Sequence, residues 1–110
     1  MVQAVFEIIR TREFDRKARK IWAAAELAEV FKNLAQSAAA GTHLGGGLYK
    51  IRVAASGRGK RGGARVIYLL IQAERIMYLL DAYAKNEKDD LTVAERKALL
   101  KFADSLRGMR

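Results

Sequence analysis

Residues 45–87, GGGLYKIRVAASGRGKRGGARVIYLLIQAERIMYLLDAYAKNE, decide the fold of this chain. Residues 48–55 alternate, with Tyr49, Ile51 and Val53 on one face and Lys50 and Arg52 on the other, the period of a half-buried strand. Residues 56–63 hold four glycines in eight positions, too long a connection for a two-residue hairpin turn. The run RVIYLLIQ, residues 65–72, is apolar on both faces and predicts a central strand. Ala73 and Glu74 make a tight turn, residues 75–83 return as a further strand, and Ala84-Lys85-Asn86-Glu87 closes the unit. Asp81 is the odd polar residue of that strand, and the expectation for it is an edge or a mouth of the sheet.

Outward from this unit, residues 2–10 are rich in Val, Ile and Phe and read as a strand. Thr11 can cap a helix starting at Arg12, in which Phe14, Ala18, Ile21 and Trp22 recur at helical spacing and Arg16, Lys17, Arg19 and Lys20 face solvent. A second helix is expected to run to about Ala39 on the stripe Leu27, Val30, Phe31, Leu34 and Ala38, with Gly41 as its stop. Thr92-Val93-Ala94-Glu95 is a capping box opening a last helix that buries Ala98, Leu99, Phe102, Ala103 and Leu106. The order β-α-α-β-β-β-α predicts an α+β fold, a small mostly antiparallel sheet with an N-terminal helix pair and a C-terminal helix. Packing all the helices on one face is the economical arrangement.

The 110 residues fit one domain with a small core. A net charge of +9 implies a polyanionic partner: nucleic acid, an acidic membrane face or an acidic protein. Six of the basic residues, Lys50, Arg52, Arg58, Lys60, Arg61 and Arg65, fall within sixteen positions, and no acidic residue occurs between Glu29 and Glu74. The chain has no cysteine, which excludes disulfides, thiolate catalysis and cysteine-based zinc sites. The first residues lack the pattern of a signal peptide and no apolar run approaches a membrane span, so a cytoplasmic protein without a membrane partner is expected.

Gly57-Arg58-Gly59-Lys60-Arg61-Gly62 matches the letters of a dinucleotide fingerprint, but a strand follows it where that motif needs a helix. No Gly-Lys-Ser/Thr is present, so the Walker pattern fails too. The better reading is a loop whose glycines let the backbone approach a phosphate while Arg58, Lys60 and Arg61 supply charge, against a solvated hairpin tip. Arg65 either caps its strand or points its planar fork at a phosphate. His43 is the only histidine, which rules out a paired-imidazole ribonuclease mechanism. Asp89 and Asp90 fit the N-terminal dipole of the last helix better than a metal. Trp22, Tyr68 and Tyr78 are assigned to the core by their apolar neighbours.

Four features in order, Gly-Leu-x-Lys-Ile-Arg, Gly-Lys-Arg-Gly-Gly, Ala-Arg-Val-Ile-Tyr and Tyr-Ala-Lys-Asn-Glu, make residues 45–110 resemble the RelE/ParE toxin superfamily, specifically its HigB-like branch. The resemblance implies a toxin of a type II toxin–antitoxin module that enters the A site of the small ribosomal subunit, beside ribosomal RNA, and cuts translated mRNA. It implies a cognate antitoxin protein as partner, and neither metal nor cofactor. Carried over by position, Lys50 and Arg52 match strand residues that hold RNA; Arg58, Lys60 and Arg61, by their charge, and Asn86 are expected as further RNA contacts. Arg65 matches the arginine on the scissile phosphate, and Lys85 and Glu87 match the catalytic end of the last strand. Asn86 stands where RelE itself has a second arginine, and the general base is open between Lys85 and Glu87. The resemblance extends to ParE-like inhibitors of DNA gyrase, and a nucleic-acid-binding module without chemistry is the remaining alternative.

Overall fold

The computed structural model describes residues 6–55 and 62–109. In chain order they form β1 (Glu7–Arg10), α1 (Arg12–Ile21), α2 (Ala24–Gln36), β2 (Thr42–Gly45), β3 (Leu48–Val53), β4 (Ala64–Ile71), β5 (Ile76–Ala84) and α3 (Val93–Gly108). The sheet order is β1-β5-β4-β3-β2. β1 lies parallel to β5 and the other pairs are antiparallel. The α+β reading and its element order stand, with one strand added: β2, four residues long, pairs with β3. It is too short and glycine-bounded to carry an alternating pattern. Residues 2–5 of the strand expected at 2–10 lie outside the described residues.

The sheet is covered on both faces, not one. Val66, Tyr68, Leu70, Met77, Leu79 and Ala82 pack with Phe14, Ala18, Ile21, Trp22, Val30 and Leu34 of the N-terminal helix pair and its connection. Leu48, Ile67, Leu69, Ile76, Tyr78 and Leu80 pack with Ala103 and the half-buried Leu99, Leu100 and Leu106 of α3. A strand apolar on both faces demands this, because burying only one would leave Ile67 and Leu69 in water. Arg96 and Arg107 dock α3 by donating to the carbonyls of Leu44 and Gly46 at the β2–β3 turn. Gly46 and Gly47, at φ 58° and 80°, supply the left-handed backbone of that turn.

Caps set the helix ends. The Thr11 hydroxyl accepts from the Phe14 amide at 3.3 Å. The Thr92 hydroxyl accepts from the Glu95 amide while Glu95 accepts from the Thr92 amide, the expected capping box. α2 ends at Gln36, short of Ala39, and a 3-10 turn at Ala38–Ala40 follows. That turn brings the Ala38 carbonyl to the hydroxyl of fully buried Tyr68, which donates to it at 2.7 Å. Trp22, Tyr68 and Tyr78 are all core residues.

Asp81 lies at a local edge of the sheet, just past Leu79, where the pairing of β1 with β5 ends. It is nevertheless only 6% exposed, paired with Ile67 of β4 on its other side. Its carboxylate accepts from Lys17 Nζ at 2.6 Å and from the Ala82 amide at 2.9 Å. A paired, hydrogen-bonded carboxylate is the condition under which burial is tolerated.

Candidate functional site

Register builds the site. Arg52 on β3 lies opposite Arg65 on β4, which lies opposite Tyr83 on β5. Directly opposed residues share a face with Cβ atoms roughly 5 Å apart, so these three side chains form one row across three strands. Lys50, two residues before Arg52, extends the same face. Lys85, two residues beyond Tyr83, continues it, its amide donating to the Gly63 carbonyl at 3.0 Å. The Lys85 stem fits against Gly62, where an added Cβ would lie 3.2 Å from Lys85 Cγ. The strand here also needs glycine at Gly63, where φ is 70° and a Cβ would stand 2.7 Å from the Val53 carbonyl oxygen.

The partners of these cations differ. Lys50 Nζ donates to Asp90 Oδ1 at 3.1 Å. Lys85 Nζ donates to the Asp89 carbonyl at 2.7 Å, with the Asp89 carboxylate at 3.5 Å. Arg65 Nη1 donates to the carbonyls of Gly62 and Ala64, and among the described residues no carboxylate pairs with it. Arg52 has no ion-pair partner among them either. Two opposed arginines, neither paired with a carboxylate among the described residues, give this face the charge to receive an anion.

Tyr83 sits at the centre of this face, 7% exposed, with its hydroxyl 3.5 Å from Asp90 Oδ1 and Lys88 Nζ 5.5 Å from its ring centroid. Burial, then the Asp90 charge, push its pKa up to about 12, against the opposing pull of Arg65. The hydroxyl therefore stays protonated at neutral pH and acts as a hydrogen-bond donor. The Asp90 carboxyl is held below its ordinary range by the Leu91 amide and by Lys50. Asp90 thus serves the cationic face as its carboxylate, beyond the dipole role read from the sequence.

A cleft of about 300 Å³ opens beside this row, lined by Lys17, Lys20, Ile21, Ala82, Tyr83, Ala84, Glu87 and Lys88. Arg65 and Lys85 are thus brought to one face, whereas Glu87 lies in the cleft, with Tyr83 bordering both. Asn86 is exposed in the turn between Lys85 and Glu87. Arg58, Lys60 and Arg61 lie outside the described residues. Among those described, no three His, Cys, Asp or Glu side chains cluster as metal ligands. No helix there is long and apolar enough to cross a membrane.

Sequence reading missed Tyr83, Lys88 and Asp90 as members of this face. The even spacing from Tyr83 to Lys85 was the available signal for the tyrosine. Lys88 and Asp90 reach it only through the loop after β5, and they carry no periodic signal.

Residues 6–110 match the family model described as the RelE toxin of the RelE/RelB toxin–antitoxin system. The fold resembles that of a double arginine-to-alanine mutant of the E. coli toxin RelE in the free state, with a TM-score of 0.59 and 14% identity, over 86% of this chain and 97% of that one. It also resembles the isolated E. coli RelE toxin, with a TM-score of 0.51 and 16% identity, over 90% of this chain and 99% of that one.

Proposed function

We propose that this chain, which belongs to the RelE toxin family of toxin–antitoxin systems, is a ribosome-dependent endoribonuclease of the HigB-like branch that cuts translated mRNA in the cytoplasm. The observation that carries the reading is the row Arg52–Arg65–Tyr83, flanked by Lys50 and Lys85, with two unpaired guanidinium groups among the described residues. Arg58, Lys60, Arg61 and Asn86 are assigned to the same RNA path from the sequence. A cognate antitoxin, the A site of the ribosome and mRNA are the partners.

The chemistry is attack of an RNA 2′-oxygen on the adjacent phosphorus. The 2′ proton passes to a base, the 5′-oxygen leaves and takes a proton, and a 2′,3′-cyclic phosphate remains. Arg65 neutralises the charge that grows on the phosphoryl oxygens, an interaction worth about 3–4 kcal/mol for one well-placed donor. Its fork is free to do so, since two carbonyls hold it without neutralising it. Lys85, on the Arg65 face, is the better-placed base, with Glu87 in the adjoining cleft as the competitor. Protonated Tyr83 donates to a phosphoryl oxygen or to the leaving oxygen.

Expression of wild type and Arg65→Ala in a host without the antitoxin, with mapping of mRNA 5′ ends, tests the assignment. Cuts within translated frames that disappear in the variant are expected. Growth arrest without such cuts points to a gyrase inhibitor, and equal cutting by both proteins removes Arg65 from the site.

A further inference from the structure

β5 does not alternate evenly. Tyr78 and Leu80 face α3, and Met77 and Leu79 face the N-terminal helix pair. Continued alternation would send Ala82 to α3 and Tyr83 to the helix pair. The reverse is observed: Ala82 packs with the helix pair and Tyr83 with the α3 face. The switch lies at Leu80–Asp81, where Leu79 pairs with Tyr68, Asp81 pairs with Ile67, and Leu80 has no partner on β4. One extra residue in β5 is a bulge, which inverts the side-chain phase of everything after it. Without it Tyr83 would leave the row of Arg52 and Arg65, and Lys85 would change faces with it.

Side chains from α1 and its cap clamp this bulge. The Thr11 amide and hydroxyl donate to the Leu79 carbonyl at 3.1 and 2.8 Å, and the hydroxyl lies 3.4 Å from the Leu80 carbonyl. The Asp81 carboxylate accepts from the Ala82 amide, just past the extra residue, and from Lys17 Nζ on α1. The carbonyls before the bulge and the amide after it are thus met by Thr11 and by the Asp81 carboxylate.

We infer that Asp81, held by Lys17, is a positioning residue of the active site: it fixes the β5 bulge that brings Tyr83 into line with Arg65. Asp81 itself is buried beneath the cationic face and touches no substrate. The inference rests on the endoribonuclease reading for its effect on rate, but its geometric half stands apart from that reading.

The experiment has two readouts on wild type, Asp81→Ala, Asp81→Asn, Lys17→Met, Tyr83→Leu and the double variant Asp81→Ala/Tyr83→Leu. The first is the cleavage rate constant and KM on mRNA-programmed ribosomes, measured well below each variant's melting temperature. The second is the cross-strand NOE between Arg65 and Tyr83. Asp81→Ala should slow cleavage about 10- to 100-fold with little change in KM and should lose the NOE. Asp81→Asn keeps an oxygen for the Ala82 amide and should retain both, and Lys17→Met should fall between. The double variant should lose less than the product of the two single losses, because the Tyr83 share of the Asp81→Ala effect is already gone and only the displacement of Lys85 remains. Multiplying losses in the double variant, or an Asp81→Ala protein with wild-type rate and intact NOE, overturns the inference. A wild type that cuts nothing, combined with an NOE lost in Asp81→Ala and kept in Asp81→Asn, refutes the nuclease reading and leaves the positioning of Tyr83 supported.

Discussion

Replacing Asp90 by Asn should tighten RNA binding, although it removes a hydrogen-bonding residue from the proposed site. Asp90 accepts from the Leu91 amide at 2.8 Å, from Lys50 Nζ at 3.1 Å and from the Tyr83 hydroxyl at 3.5 Å. Asn keeps an oxygen for the Leu91 amide and loses the charge. The Asp90 side chain is 61% exposed, so the ion pair contributes less than about 1 kcal/mol to stability. A phosphate seated on the far side of Lys50 lies roughly 6 Å from the carboxylate, two hydrogen-bond lengths with one ammonium between. Repulsion between unit charges at that distance is about 0.7 kcal/mol in water and about 1.4 kcal/mol at half that dielectric. Relieving it tightens binding about 3- to 10-fold. Freeing Lys50 should also steepen the salt dependence by about 0.7 in the log–log slope for a single strand. Fluorescence anisotropy with an oligonucleotide carrying 2′-deoxy substitutions, titrated at several salt concentrations, measures both. Unchanged or weaker binding refutes the assignment of RNA to this face, and loss of cleavage despite tighter binding makes Asp90 a participant in the chemistry.

Gly41→Ala would set a Cβ 2.4 Å from the Tyr68 hydroxyl and 3.0 Å from the Lys50 carbonyl oxygen. It should cost about 1–3 kcal/mol in urea unfolding, and a wild-type midpoint would contradict the packing described. Tyr68 and Tyr83 are both raised to about 12, in each case mainly by burial. Their contribution to stability is therefore full below the unfolded value of about 10 and lost as pH rises from there to about 12. Absorbance at 295 nm should show these two ionising late, and Tyr68→Phe should remove one late step. Glu95 is lowered to about 2 by Lys88 and by the Thr92 amide. Its contribution is present above about 4.5 and disappears as pH falls toward 2, so Glu95→Gln should flatten acid unfolding in that window. The side chain is 38% exposed, which limits the effect to about 0.5–1 kcal/mol.

Local signals carried most of the fold. The period-2 placement of Lys50 and Arg52 against Tyr49, Ile51 and Val53 read correctly, as did the two-faced apolar run of β4 and the caps at Thr11 and Thr92. What escaped was non-local. β1 pairs with β5 across most of the chain and makes Ile76 to Leu79 internal, while Asp81, just beyond, is covered by Lys17 of α1. The bulge leaves no mark on composition except Asp81 itself, which even alternation could place only at an edge. Because the bulge inverts the phase of Tyr83, strand periodicity alone assigned that residue no role. Family motifs singled out Arg65 and Lys85, and their common face follows from a register that the sequence does not spell out.

The central claim is best tested by adding the purified protein to ribosomes stalled with a defined codon in the A site, and to the same mRNA free of ribosomes. A cut within that codon, 2′,3′-cyclic phosphate ends, a rate at least about 100-fold lower for Arg65→Ala, and intact free mRNA at the same protein concentration are expected. Intact mRNA on the ribosome, or Arg65→Ala cutting at the wild-type rate, would contradict it.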